Sequence, residues 1–446
     1  MTAASAATPV KSVPPRTVAS SSAWLAGLLL GSMLVASPLL AQRTPAGDSA
    51  RGVAADSIAA RLRRAEEAIA LLQQQLGEQT SSGVTTRSRM QLELSGRMLV
   101  HAFRNERRVN NVDDPQFVRP DSASALPISG VGLAIRQTVL GMSVTARDVL
   151  GGSFTGTLDV DFFGGQQPSS GGRTFPLLRL RTAHGAVRWT HGELLVGQEA
   201  PLIAATNPVS PAAIGTPAFA AAGNLWLWLP QLRATLETGG PVRVAVQGAV
   251  IAPTTGDVVG LFDTDIDAAE RSGRPAVEGR LRVRWGEDER ASEIGCGGHL
   301  GWIALSAATL ARTNVAACDA RIAFIPRVEL RGEAYTGRGL RGLGGGGIGQ
   351  NLSRSATPLE DRGGWGQINI DAYHTLKIGA GCGIDEPRSA DVPAGGRLRN
   401  EACASYAILR PAGPLFLGVE IRQIETKYAA GSVTNNHLNL GIGFEF

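Results

Sequence analysis

From Met90 to Phe446, apolar side chains recur at every second position, segment after segment. The final stretch shows it most fully: Leu438, Leu440, Ile442, Phe444 and Phe446 alternate with His437, Asn439, Gly441, Gly443 and Glu445. Successive side chains of a strand point to opposite faces, so such a segment has one apolar face and one polar or small face. The same alternation marks residues 90–102, 154–162, 226–237, 277–285, 327–335 and 417–422. A soluble sandwich would bury the apolar faces and wet the charged ones. A transmembrane barrel turns the apolar face to lipid and the polar face to a water-filled lumen. No helical layer interrupts the alternation, and Gly-rich loops of uneven length separate the segments, which favours the barrel. The barrel is expected over residues 87–446, and at roughly 22 residues per strand and turn, residues 90–446 make about 16 strands, within the range of single-chain barrels. The expected fold is an all-β transmembrane β-barrel of about 16 antiparallel strands with a short N-terminal α-helical coiled coil. One place breaks the parity: Leu133 and Ile135 oppose Leu140, Met142 and Val144, which calls for a bulge or a misplaced boundary.

Composition agrees. Charged residues make up 18% of the 446, Gly accounts for 56, and the mean hydropathy is close to zero. Strands that are only half apolar give that value even inside a membrane. A net charge of +4, carried by Arg with only Lys11, Lys377 and Lys427, is too small to argue for a nucleic-acid partner. Residues 1–41 read as a secretory signal peptide: Lys11 and Arg16, an apolar run from Trp24, and Ala41 before Gln42. An uncleaved membrane helix is the competing reading; the run is short for one and holds Gly27, Gly31, Ser32 and Pro38. Export to an oxidising compartment follows.

Residues 42–86 read as a periplasmic coiled-coil segment and linker. Ala55, Ile58, Leu62, Ala65, Ile69, Leu72 and Leu76 recur at alternating spacings of three and four, a heptad seam. The alternative is a single amphipathic helix lying on a domain. An isolated helix of this length is marginal in water, so self-association is favoured. Loops are expected at residues 104–130, 164–174, 200–223, 252–274, 338–362 and 385–398. The uncharged 201–223 segment either folds inward and narrows the lumen or caps the barrel from outside. The glycine run after Arg338 lacks the Lys-Ser/Thr element and strand–helix setting of a phosphate-cradling loop.

The closing strand, ending on an aromatic residue, looks like the C-terminal assembly signal of bacterial outer-membrane β-barrels. The chain also resembles the trimeric outer-membrane porins with an N-terminal coiled coil, the DcaP-like family, and more distantly the phosphate-selective OprP/OprO porins. The likeness rests on an ordered set of short stretches: Ile135-Arg136-Gln137-Thr138, Asp159-Val160-Asp161-Phe162-Phe163-Gly164, Arg179-Leu180-Arg181-Thr182-Ala183, Val196-Gly197-Gln198, Arg274-Pro275, Leu330-Arg331-Gly332-Glu333-Ala334-Tyr335-Thr336-Gly337 and Gly363-Gly364-Trp365-Gly366-Gln367. It implies a homotrimer in the bacterial outer membrane, its N-terminal helix in the periplasm, passing small anionic solutes such as dicarboxylates. The cysteines and divergent loops depart from the family and leave the solute open between dicarboxylate-like and phosphate-like anions.

Rings of Arg in a pore favour anions, and rings of Asp or Glu favour cations. Arg97, Arg136, Arg179, Arg181, Arg233, Arg280, Arg282, Arg284, Arg327, Arg331 and Arg422 fall on the polar parity, with Asp159 and Asp161 among them. Arg slightly exceeds acid, so these residues are the expected pore lining and the solute an anion. The bland reading is that they pair across strands and stiffen the wall, as expected for Glu329, Arg331 and Glu333. Cys296 with Cys318 and Cys382 with Cys403 sit on consecutive strands, making disulfides or free thiols. No His accompanies them at ligand spacing, so no metal or other cofactor is expected. The six histidines have no evident Ser or Asp partner, which speaks against an enzyme. A plugged, structural or adhesive barrel tethered by its coiled coil is the alternative to a porin.

Overall fold

The computed structural model describes residues 84–85, 90–120, 129–164, 176–256, 266–287 and 290–446. The expected signal peptide and heptad segment lie outside the described residues. Among the described residues there is no α-helix; the structure is strand, turn and a few short 3-10 turns.

In chain order the strands are β1 (Val84–Thr85), β2 (Gln91–Asn105), β3 (Gly130–Ala134), β4 (Val139–Val149), β5 (Gly152–Gly164), β6 (Leu177–Arg188), β7 (Gly192–Glu199), β8 (Leu229–Glu237) and β9 (Val242–Ile251). The second half holds β10 (Ala276–Trp285), β11 (Ser292–Ser306), β12 (Thr309–Ile325), β13 (Val328–Arg338), β14 (Glu360–Tyr373), β15 (Leu376–Pro387), β16 (Arg399–Leu409), β17 (Leu415–Tyr428) and β18 (Gly431–Glu445). From β4 onward, consecutive strands pair antiparallel, and β18 pairs back onto β2. Both β3 and β4 pair with β2, along different stretches, so they are two pieces of one stave. The result is a closed barrel of 16 staves, with β1 an extra strand against the start of β2. Closure leaves no open edge, the condition for spanning a bilayer with strands.

The parity break has a physical cause. His101 pairs with Ala134 and Arg97 with Val139, so four residues on one side face three on the other. The additional residue is a bulge, which turns Arg136, Gln137 and Thr138 inward as buried groups. All the tight turns that join β4 to β5, β6 to β7, β12 to β13 and β14 to β15 lie at the end that holds the start of β2 and Phe446. The strand ends between β2 and β3, β7 and β8, β9 and β10, and β13 and β14, which the long connections join, lie at the other end.

The outward face carries Leu94, Met98, Val100, Leu140, Val196, Leu232, Val246, Leu281, Ile421, Leu440 and Ile442, all large and exposed. Burying such side chains in acyl chains contributes about 25 cal/mol per Å² of apolar surface. The reading of 226–237 as one alternating strand is corrected here: β8 begins at Leu229, and Trp226 is buried beside Trp228 inside the barrel, ring centroids 5.2 Å apart.

Cys296 and Cys318 stand directly opposite each other on β11 and β12 and are disulfide-bonded, as are Cys382 and Cys403 on β15 and β16. All four face outward. Each bond closes a hairpin whose strands already pair, over separations of 22 and 21 residues. Chain-entropy arguments give about 3 kcal/mol for a loop of this size. Replacing all four cysteines with alanine is therefore expected to leave the barrel assembled but to lower its heat-unfolding midpoint in detergent. Gel mobility of heated against unheated protein checks this.

Candidate functional site: a lumen narrowed by an inward loop

The segment 200–228 runs through the inside of the barrel as a hoop, and the inner wall holds it stave by stave. Leu202 and Ile203 donate backbone N–H bonds to Glu278 Oε2 on β10, at 2.6 and 3.3 Å. Thr206 donates to Asp319 on β12 at 2.7 Å, and Arg331 on β13 donates to the Asn207 carbonyl at 3.2 Å. Val209 exchanges two bonds with the Gln367 amide on β14, and Ser210 bonds Glu420 on β17. Ile214 then donates to Gln137 in the bulge, and Thr216 to Asp114. On the return, Asn400 on β16 donates to the Ala221 carbonyl and Leu225 donates to Glu333 on β13. A segment with no charged side chains offers mainly backbone donors, so inward acids and amides are the groups that can hold it.

Apolar contacts close the remaining space. Ile203 and Leu225 pack on Ile251, Val315 and Leu340, whereas Phe219 packs on Trp365 and Ile424. Backbone approaches backbone where side chains are missing. A Cβ on Gly383 would lie 2.0 Å from the Ala222 carbonyl oxygen, so only glycine fits there. Gly223 sits at φ 98° against Gly364, a conformation L-residues avoid.

A second inward feature is the loop between β2 and β3. Arg136, fully buried, donates to both oxygens of Asp113 at 3.0 and 2.6 Å and stacks on Phe163 at 4.2 Å. Arg422 holds Glu420 and lies 3.3 Å from Asp114. Burial pushes the Asp114 carboxyl up to about 7, against the pull of Arg422. Arg136 and Arg422 thus fasten the loop to the wall.

Arg280 is another anchor. Its guanidinium reaches Asp319 at 2.8 and 3.0 Å and Glu293 at 3.1 Å, with side-chain exposures of 2% for Arg280 and 1% for Asp319. Asp319→Ala removes this partner and the acceptor for Thr206 together. Stranding one member of a buried ion pair costs about 3–5 kcal/mol, and Glu293, which still lies 3.1 Å from Arg280, offsets part of that cost. The expected result is a marked loss of thermal stability, with Asp319→Asn, which keeps an acceptor for Thr206, falling in between. Melting in detergent checks it.

Most of the other expected site residues are part-exposed, but Asp161 is fully buried. Arg97, Asp161 and Arg179 lie on one level across adjacent staves, since Arg97 pairs with Val139, Val139 with Asp161, and Asp161 with Arg179. Arg181 bulges out of the same ladder. Arg179 stacks near Phe163 and Trp228, and Arg181 stacks on Trp228 at 4.8 Å. Asp159 accepts from Thr182 at 2.8 Å. Arg282 pairs with Glu237, and Arg233 donates to Gln231 and the Ala200 carbonyl. Arg284 lies directly opposite Arg243 on β9. Both border a polar vestibule of about 740 Å³ shared with Arg188, Glu193, Glu237 and Arg282. Arg327 lies in the tight turn between β12 and β13, exposed, donating to the Ala372 carbonyl. Arg331 pairs with Glu329, but Glu333 turns to Leu225 and Trp365 instead.

Several lumen carboxylates serve two guanidiniums each, among them Glu293 between Arg280 and Arg282. Glu445 lies between Arg97 and Arg410, Asp161 between Arg179 and Arg181, and Glu329 between Arg331 and Arg321. Sequence reading missed Arg410 and Arg321. Arg410 follows the end of β16, outside any alternating run. Arg321 lay on the polar face of a segment whose period was not recognised.

A closed 16-stave barrel with an apolar outer wall, a charged interior and a loop folded into its lumen has the architecture of the outer-membrane channel proteins. Among solved structures it is similar to the outer-membrane channel DcaP of Acinetobacter baumannii: TM-score 0.64, 16% identity, 82% of this chain and 100% of that one. It is also similar to an anion-selective porin from Comamonas acidovorans, with TM-score 0.50, 12% identity, and 80% and 100% of the two chains. Salmonella typhi OmpF, solved with daunomycin, gives TM-score 0.51 and 10% identity over 82% and 100%. No protein-family model and no curated relative matches the sequence. At these identities the likeness establishes the fold.

Proposed function

We propose that this chain is an outer-membrane porin through which small hydrophilic anions diffuse passively, and that it performs no catalysis. The observation that carries the reading is the sharing of Glu445, Asp161 and Glu329 by two guanidiniums each, with all six guanidiniums part-exposed although Asp161 itself is fully buried. A carboxylate neutralises one of its two partners, leaving local positive potential along a path of low dielectric walls. Such walls concentrate counter-ions. The arginines stacked on Phe163, Trp228 and Phe416 are pinned and weakly hydrated, suited to brief contact with carboxylate or phosphate groups. The channel-type neighbours support passive diffusion, the heptads of residues 54–78 support self-association through helices in the periplasm, and only the resemblance to the trimeric porins favours three copies. Dicarboxylate-like and phosphate-like solutes both fit this lining.

Liposome swelling tests the reading. Vesicles bearing the refolded protein should swell faster in a small dicarboxylate than in a diamine of matched size. Equal rates would remove the anion preference, and no swelling at all would make the hoop a plug and the barrel a structural one.

A further inference from the structure

The outer wall changes character between β12 and β16. Two adjacent rows of outward residues there are almost all small. One row is Cys318, Ala334, Gly364, Ile384 and Glu401; the next is Ala320, Gly332, Gly366, Cys382 and Cys403. Elsewhere the wall presents mainly Leu, Val and Ile, apart from a single small-residue row at Ala234, Gly248, Gly279, Gly298 and Ala316. With bare backbone at Gly364 and Gly366 as its floor, the wall sinks into a groove of about 810 Å³, more apolar than polar. Smaller hollows of about 350 and 460 Å³ continue it towards the long-loop end, between Thr336, Glu360, Arg362 and Arg388 and beside Arg338.

Height decides what meets this groove. Tyr373, 68% exposed, ends β14 at the tight-turn side, with Phe324, 69% exposed, near the same end of β12. Exposed aromatics at a strand end mark a lipid–water boundary rather than a protein interface. Along β14, at ~3.4 Å per residue and a tilt of ~40°, Arg362 lies roughly 28 Å above Tyr373, and the apolar band of such barrels is about 25 Å tall. The groove therefore opens in the half of the membrane nearer the long loops, and Arg362 stands at that boundary. The side chains of Arg338, Arg362 and Arg388 are 57%, 74% and 60% exposed. Arg338 and Arg388 share Glu360, Arg388 also approaches Asp391 at 3.8 Å, and Arg362 holds Glu386. Exposed pairs like these contribute little, and each guanidinium has five N–H donors, so a phosphate can be taken on without losing the carboxylate.

We propose that this wall binds one phosphorylated, acylated glycolipid of the outer leaflet: an acyl chain lies in the glycine-floored groove, and the phosphate is held by Arg338, Arg362 and Arg388. This rests on the membrane-spanning barrel alone and is independent of what passes through the lumen. A Cβ at Gly366 meets nothing within 4 Å, so Gly366→Leu fills the groove without strain. The full chain would be reconstituted in phosphatidylethanolamine vesicles containing a minor fraction of lipid A, then released for native mass spectrometry. The expected result is a lipid A adduct on the wild type, lost in Gly366→Leu and in the R338Q/R362Q/R388Q triple variant. Both variants should keep the heat-modifiable gel mobility of a folded barrel. An adduct retained by both folded variants, or no adduct on the wild type, overturns the proposal. So does a Gly366→Leu variant that falls from oligomer to single chains, since that makes the groove a contact between copies.

Discussion

Removing the hoop should raise single-channel conductance at least about twofold, because a 16-stave barrel without an inward loop leaves an open aqueous channel. The deletion would join residue 204 to residue 224 by a short glycine linker, leaving the anchors at Leu202, Ile203 and Leu225 in place. The staves pair with one another independently of the hoop, so the barrel should still close. Its inner wall would lose the packing on Trp365 and Ile424 and the bonds to Gln367 and Glu420. A lower melting temperature should therefore accompany the larger conductance. Gly383→Leu makes the same point without a deletion: its side chain occupies the place of the Ala222 carbonyl and forces the hoop off β15. If both variants conduct like the wild type, the hoop does not set the pore's width.

The second large effect concerns charge. The triple variant R97Q/R181Q/R321Q removes one guanidinium each from Glu445, Asp161 and Glu329 and leaves Arg410, Arg179 and Arg331 to hold them. No buried carboxylate is stranded, so folding should be little affected. At ~8 Å and an effective dielectric of ~40, each lost charge removes about 1 kcal/mol of attraction for a passing monoanion. A solute feeling two of the three sites should cross roughly tenfold to thirtyfold more slowly. Uptake of an uncharged sugar of similar size should barely change. A parallel fall for both solutes would mean that the substitutions narrowed the pore rather than altering its potential. Raising ionic strength should shrink the difference, since exposed lumen charges are screened beyond ~8–10 Å at physiological salt.

Much of the barrel was legible because period two is a local property. Each of Leu94, Leu140, Leu281 and Leu440 declares its face from its immediate neighbours, and the stave count follows from chain length. Even the irregularity at Arg136 showed as a change of parity. What the pattern could not convey was the destination of a segment without period. Residues 200–228 carry no charge to mark them as lumenal, and their partners are spread from Asp114 to Glu420 in sequence. The Trp226–Trp228 pair mimicked the start of a strand because two bulky residues two apart satisfy any alternation. Most inward arginines, though not Arg321 or Arg410, follow from parity, but parity cannot separate an anchor such as Arg136, Arg280 or Arg422 from a wetted residue such as Arg97 or Arg181. That distinction depends on what the loops cover, a matter of contacts between residues hundreds of positions apart.

Anion preference stands or falls on the sign of the lumen potential. The most direct measurement is the reversal potential of single channels of the refolded full chain in a planar bilayer under a potassium chloride gradient. A potential on the chloride side, moving towards zero in R97Q/R181Q/R321Q, is the predicted result. A potential on the potassium side would contradict it and would shift the selectivity to Asp159 and its neighbouring carboxylates.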